Sequence, residues 1–187
     1  MVLPIVAYGA PVLKEKAKDI TPDYPELKQL IADMFDTMYA AKGVGLAAPQ
    51  IGKSIRLFVV DVSPFADDEP QLEGVKKVFI NPQIIEEQGV EWKFNEGCLS
   101  IPNVREDVLR KPEISIKYQD ENFVEHQEYI SGLLARVIQH EYDHIEGILF
   151  TDRVSQLRKT LIKAKLINIS KGNIHVDYKM KFPAMKK

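Results

Sequence analysis

The chain has 187 residues, 45% of them hydrophobic and 28% charged, with a formal net charge of -2. That length suits one domain, residues 1–187, with a sizeable core, and the composition excludes a disordered or fibrous chain. The near-neutral charge gives no overall field for DNA, no run of about 18 apolar residues is present to span a membrane, and the first residues do not read as a signal peptide, so a cytoplasmic protein, monomeric and away from membranes, is expected.

The first clear element follows Thr21-Pro22-Asp23, where Leu27, Leu30, Ile31, Met34, Phe35 and Met38 recur at three- and four-residue spacing. This predicts a helix over 24–41, ended by Lys42-Gly43. Residues 43–50 are too rich in small side chains for an ordinary helix, and 55–60 read as a strand. The stretch 63–77, with Pro64, Pro70 and the acidic Asp67-Asp68-Glu69, reads as a surface loop or insertion without a catalytic role. Short strands are expected at 78–80, 84–87, 114–118 and 124–129, separated by Asn-Pro, Lys-Pro and Asp-Glu-Asn turn signals. Connections this short favour antiparallel pairing. Ser131 can cap a helix over 132–146 that stops at Gly147, and its apolar Leu133, Leu134, Val137 and Ile138 place it inside the protein. A second amphipathic helix over 155–169 precedes the alternation of Ile174, Val176 and Tyr178, which predicts a terminal strand over 173–179. The class is α+β: antiparallel sheets packed around a central buried helix, with an N-terminal and a C-terminal helix.

The chemistry concentrates in His140-Glu141-Tyr142-Asp143-His144. Histidines four apart project from one helical face and can bind a single divalent ion, while Glu141 between them can reach a water on that ion without being a ligand. The alternative is two polar residues that share a face and bond to their neighbours. Burying two imidazoles and a carboxylate without a metal or partners is costly, which favours the metal reading. A catalytic ion ordinarily takes a third protein ligand. Downstream, Glu146 lies too close on the same helix, and Asp152 and His175 lack a suitable context. Upstream, Cys98 sits within Glu96-Gly97-Cys98-Leu99-Ser100, and its thiolate would complete the set. Taken alone, a single cysteine is more often a small buried core residue.

These segments also occur together. Gly43-Val44-Gly45-Leu46-Ala47-Ala48-Pro49-Gln50, Glu96-Gly97-Cys98-Leu99-Ser100 and His140-Glu141-Tyr142-Asp143-His144 resemble, in order and separation, the three motifs of the peptide deformylases, and the resemblance runs from about residue 3 to 150. Residues 63–77 look like an insertion relative to compact members, and the terminal strand is least covered. The resemblance implies a hydrolase that removes the formyl group from the N-terminal formyl-methionine of nascent polypeptides. It implies one divalent metal, Fe2+ first, with Zn2+, Ni2+ or Co2+ able to substitute, on Cys98, His140 and His144 together with a water. Metal-bound hydroxide would attack the formyl carbon with Glu141 as general acid/base, and the Gln50 amide and the Leu99 N–H would serve the oxyanion.

Gly43 and Gly45 would let an extended substrate approach the backbone, and Val44, Leu133 and Val137 would flank the methionine side chain. Arg136 is an awkward neighbour for an apolar wall, and Glu96 with Arg105 is expected either to brace the cysteine loop or to stand as surface charge. The competing reading is a zincin-type metallopeptidase, which needs a third ligand after His144. The resemblance also suggests a transient ribosome contact through Arg158, Lys159, Lys163 and Lys165, beside an apolar stripe of Leu157, Leu161, Ala164 and Ile169. A solvated lysine face on a docked helix is the simpler expectation.

Overall fold

The computed structural model describes residues 1–183. Strand β1 (Ile5–Val6) leads through a short 3-10 turn to helix α1 (Leu27–Ala40), and then come strand β2 (Gly45–Ala47), a 3-10 turn at Ala48–Ile51, and strand β3 (Leu57–Asp61). Two further 3-10 turns, Ser63–Phe65 and Pro70–Leu72, precede strands β4 (Lys76–Gln88), β5 (Trp92–Cys98), β6 (Ile101–Arg110), β7 (Glu113–Gln119) and β8 (Glu125–Ser131). Helix α2 (Gly132–Ile145), helix α3 (Gln156–Ser170) and strand β9 (Met180–Lys181) follow.

The main sheet has the order β2-β3-β4-β7-β8 and is antiparallel throughout. Strand β3 explains how it is covered. Side chains alternate across a strand, so Leu57 and Val59 pack against α1 through Leu30, Ile31, Met34 and Met38. Phe58 and Val60 face the other way and pack with Ala135, Val137, Ile138 and Ile145 of α2. A strand buried on both faces reads as a continuous apolar run, which is the form of Leu57-Phe58-Val59-Val60. Helix α2 is largely buried, and it ends at Gly147, whose φ of +75° supplies the left-handed residue that closes a helix. A third cluster joins Ile101, Val104 and Val108 of β6 to Ile162, Leu166 and Ile169 of α3.

Several expectations change. The strands expected at 78–80 and 84–87 are one strand, because Asn81 adopts φ +49° and its side chain bonds both N–H and C=O of Ile20, turning the Asn-Pro pair into a bulge instead of a break. The β5–β6 hairpin was not among the expected strands. The terminal strand is confined to Met180–Lys181 and pairs in parallel with β1, although 173–179 keep an alternating burial. On α3 the inward stripe is Ile162, Leu166 and Ile169; Leu157, Leu161 and Ala164 point outward, the two leucines at 69% and 58% exposure, so of the expected stripe only Ile169 faces inward.

Candidate active site

Helix α2 carries His140 and His144 one turn apart, with ring centroids 5.2 Å from each other. Cys98 closes β5, where the hairpin register shifts so that Cys98 pairs with Ile101 across the tight Leu99-Ser100 turn. Its Sγ lies 3.3 Å from His144 Nε2, and one ligand atom each from Cys98, His140 and His144 fall within 4.8 Å of one another. Ligand atoms placed tetrahedrally at metal distances of about 2.0–2.3 Å stand roughly 3.5 Å apart, so the three fit a single ion. The other third-ligand candidates are paired or stand outside the cluster: Glu146 pairs with Arg56, Asp152 with Lys14, and His175 is 96% exposed.

The surroundings suit a metal. Burial pushes the His144 pKa well below its ordinary value, so the ring is the neutral ligand a metal requires. For His140, burial acts against charge but Cys98 and Glu96 outweigh it and hold the pKa well above ordinary, so an ion binding there would displace a proton from the ring. Glu96 Oε1 lies 2.9 Å from His140 Nδ1, leaving the other ring nitrogen for an ion. Although burial pushes the Glu96 pKa up, hydrogen bonds from His140 and Arg110 hold it far below the carboxylate range. Arg110 donates to both Glu96 oxygens at 2.8 and 3.0 Å, and reaches Asp143 of α2 at 2.8 Å.

Arg136 also donates to Glu96, at 2.9 Å, and to the carbonyls of Val108 and Trp92, with its guanidinium 4.6 Å from the Trp92 ring centroid. Its charge is thus answered beneath the cleft wall. Arg105, by contrast, bonds the side chain and backbone of Asn95 and makes no pair with Glu96. Arg110 and Arg136 fill the bracing role expected of it.

Glu141 stands beside the ligands, and burial raises its pKa to about 7. Its Oε2 is buried without a hydrogen-bond partner. A group in that condition costs free energy unless a ligand or water uses it. Gly45 is the reason it fits: a Cβ there would come within 2.5 Å of Glu141 Oε1. Gln50 approaches from the Ala48–Ile51 turn. Its Oε1 accepts from the Ala47 N–H at 2.9 Å, so its amide nitrogen faces the site, 3.5 Å from Cys98 Sγ and 3.3 Å from Ser100 Oγ.

These groups open onto a cleft of about 720 Å³ whose lining includes Gly43, Val44, Gly45, Leu99 and Val137. Leu133 does not line it and packs instead against the sheet. Phe65, from the stretch read as a plain surface loop, does line it, as do Phe94 and the segment from His175 to Tyr178. Phe65 had one signal in the sequence, being the one aromatic side chain of residues 63–77. Nothing local marked Arg110.

A family model described as polypeptide deformylase matches residues 2–160. The chain is 66% identical to the peptide deformylase of Christiangramia forsetii, over 100% of this chain and 99% of that one. It is 59% identical to that of Flavobacterium johnsoniae, with the same coverage. The crystal structure of a peptide deformylase from Legionella pneumophila superposes with a TM-score of 0.80 at 38% identity, covering 92% of this chain and 98% of that chain.

Proposed function

The chain belongs to the polypeptide deformylase family, a family of enzymes, and from this we propose that it removes the formyl group from the N-terminal formyl-methionine of nascent polypeptides, using the Cys98, His140 and His144 site, with residues 1–187 acting as one catalytic domain in the cytoplasm. The observation that carries the mechanism is the buried, partnerless Glu141 Oε2 beside a three-ligand cluster that opens on a cleft. A divalent ion held by the three side chains, Fe2+ first by resemblance, would lower the pKa of a neighbouring water toward neutrality.

The protein's own groups do the rest. Glu141, buried beside the ligands with Oε2 free of any protein partner, takes a proton from the attacking water and delivers it to the amine nitrogen as the C–N bond breaks, leaving formate and a free amino terminus. Gln50 Nε2, held in orientation through Ala47, and the Leu99 N–H donate to the formyl oxygen as it gains negative charge. Glu96, fixed by Arg110 and Arg136, orients His140. Strand β2 is an edge of the main sheet, so an extended substrate can add beside Gly43, Val44 and Gly45. Val44, Leu99 and Val137 offer apolar surface for the methionine side chain.

A zincin-type peptidase would need its third ligand after His144, and among the described residues the one cluster of this kind uses Cys98. A transient ribosome contact through α3 completes the reading, supported by the outward Leu157 and Leu161 beside exposed lysines. The mechanism is tested by Glu141→Gln: full metal content with turnover of a formyl-Met peptide reduced by at least about a hundredfold. A metal-free variant would make Glu141 a ligand and defeat the scheme.

A further inference from the structure

The residues after α3 lie beyond the stretch matched by the family model, yet they reach the site. Tyr178 donates its hydroxyl to the Leu99 carbonyl at 2.7 Å. On the other side of the same turn, the Ser100 carbonyl accepts from the Tyr8 N–H at 2.8 Å. The two contacts are not independent. Ile5 and Ala7, just before Tyr8, donate to the carbonyls of Lys179 and Lys181 at 2.9 Å each, so β1 and β9 form a parallel pair immediately beside Tyr8 and Tyr178. Asn103 adds a contact from its side-chain amide to the His175 carbonyl at 3.4 Å, and Ile174, Met180 and Phe182 anchor the segment on the third core cluster.

We propose that the two ends of the chain form one clamp on the Cys98-Leu99-Ser100 turn, with Tyr178 as a positioning residue that sets the Leu99 peptide, and that the wall from His175 to Tyr178 is a fixed side of the cleft. The turn carries a metal ligand and, on the reading above, an oxyanion donor; the inference rests on that reading only for its catalytic consequence. A turn of two residues between strands has little of its own to hold it. Beyond the Gln50 contact to the Ser100 hydroxyl, its two carbonyls are points at which it can be fixed, and each is taken by a different end of the chain. Losing the tyrosine hydroxyl leaves the Leu99 carbonyl without that partner and frees the peptide to rotate.

The test uses the full-length, cobalt-loaded protein and Tyr178→Phe, which keeps the ring and its packing. A net hydrogen bond of about 1 kcal/mol corresponds to roughly fivefold. The variant should release cobalt to a chelator about fivefold faster, with a shifted thiolate-to-cobalt absorption band. Its kcat for a formyl-Met peptide should fall by a similar factor, with KM within about twofold. Loss of general stability alone would move neither the band nor the split between kcat and KM. An unchanged band together with an unchanged release rate overturns the clamp, whatever the turnover. A shifted band and faster release in the variant uphold it even if the parent fails to deformylate, an outcome that would instead overturn the proposed activity.

Discussion

Glu141 illustrates what a buried functional carboxylate does to the protein that carries it. In the metal-free protein its pKa is raised from 4.5 to about 7 by burial. Between those values the unfolded chain has lost the proton and the folded one keeps it, so the stability contribution is fully present below pH 4.5 and is lost as pH rises to about 7. The loss amounts to about 3 kcal/mol. Urea unfolding of metal-free parent and Glu141→Gln should therefore agree near pH 4.5 and diverge by about that amount by pH 7, the glutamine variant being the more stable. Parallel curves across this range would show that the carboxylate is solvated in the folded state. Gly45→Ala probes the same contact from the other side. The added Cβ, 2.5 Å from Glu141 Oε1, must displace the carboxylate, so kcat should fall by at least about tenfold while the metal stays bound; a loss confined to KM would place the glycine's role with the substrate strand alone. At this scale the ligand residues were legible because metal chemistry restricts residue type and spacing. The pairing of Glu96 with Arg110 and Arg136 was not, since nothing local links a residue on β5 to partners 14 and 40 positions away.

Among the elements, β6 shows why a strand can be missed. Its burial alternates strictly from Val104 to Arg110, but two of the inward positions are Glu106 and Arg110. Glu106 is answered by Arg158 of α3, and Arg110 by Glu96 and Asp143. Ion pairs formed only in the folded molecule therefore replace the apolar residues that a period of two would display. Strand β4 shows the converse, a turn signal overridden by the hydrogen bonds of Asn81 to Ile20. Helix α2 was legible nearly to its ends because its buried run and the Gly147 stop agree, although Ser131 occupies the cap position without the side-chain hydrogen bond expected of it. Its terminus gives a prediction with an internal control. At Gly147 (φ +75°) a Cβ would meet the Lys14 carbonyl oxygen at 2.7 Å, whereas at Gly74 (φ +71°) it would meet nothing within 4 Å. Gly74→Ala should cost only the left-handed penalty of about 1 kcal/mol. Gly147→Ala should cost roughly 2–3 kcal/mol, a fall in Tm of about 5–10 °C, because the Lys14 segment must also move. Equal losses at the two sites would mean that this segment yields freely.

For the whole molecule, the outer face of α3 separates what the fold requires from what remains available. The helix is docked by Ile162, Leu166 and Ile169 and by the pairing of Arg158 with Glu106, so Arg158 belongs to the fold and leaves the basic group expected from the sequence. Lys159, Lys163 and Lys165 make no ion pair among the described residues and line no part of the cleft. With Leu157 and Leu161 exposed beside them, they form a surface that packing does not explain. Reversing the three lysines to glutamate should leave turnover of a short formyl-Met peptide unchanged, since the site is formed by other elements, and should shift stability by no more than about 0.5 kcal/mol per position. Cosedimentation with ribosomes at low salt should be lost in the variant. In the parent it should weaken steeply as salt rises, because phosphate contacts made by lysine release counterions. Three such contacts account for a slope of about 2 in log affinity against log salt, using the single-strand value of roughly 0.7 per contact. Equal sedimentation of parent and variant would assign the lysines to solvation and remove the ribosome from the proposed function, while the cleft and its chemistry would stand unchanged.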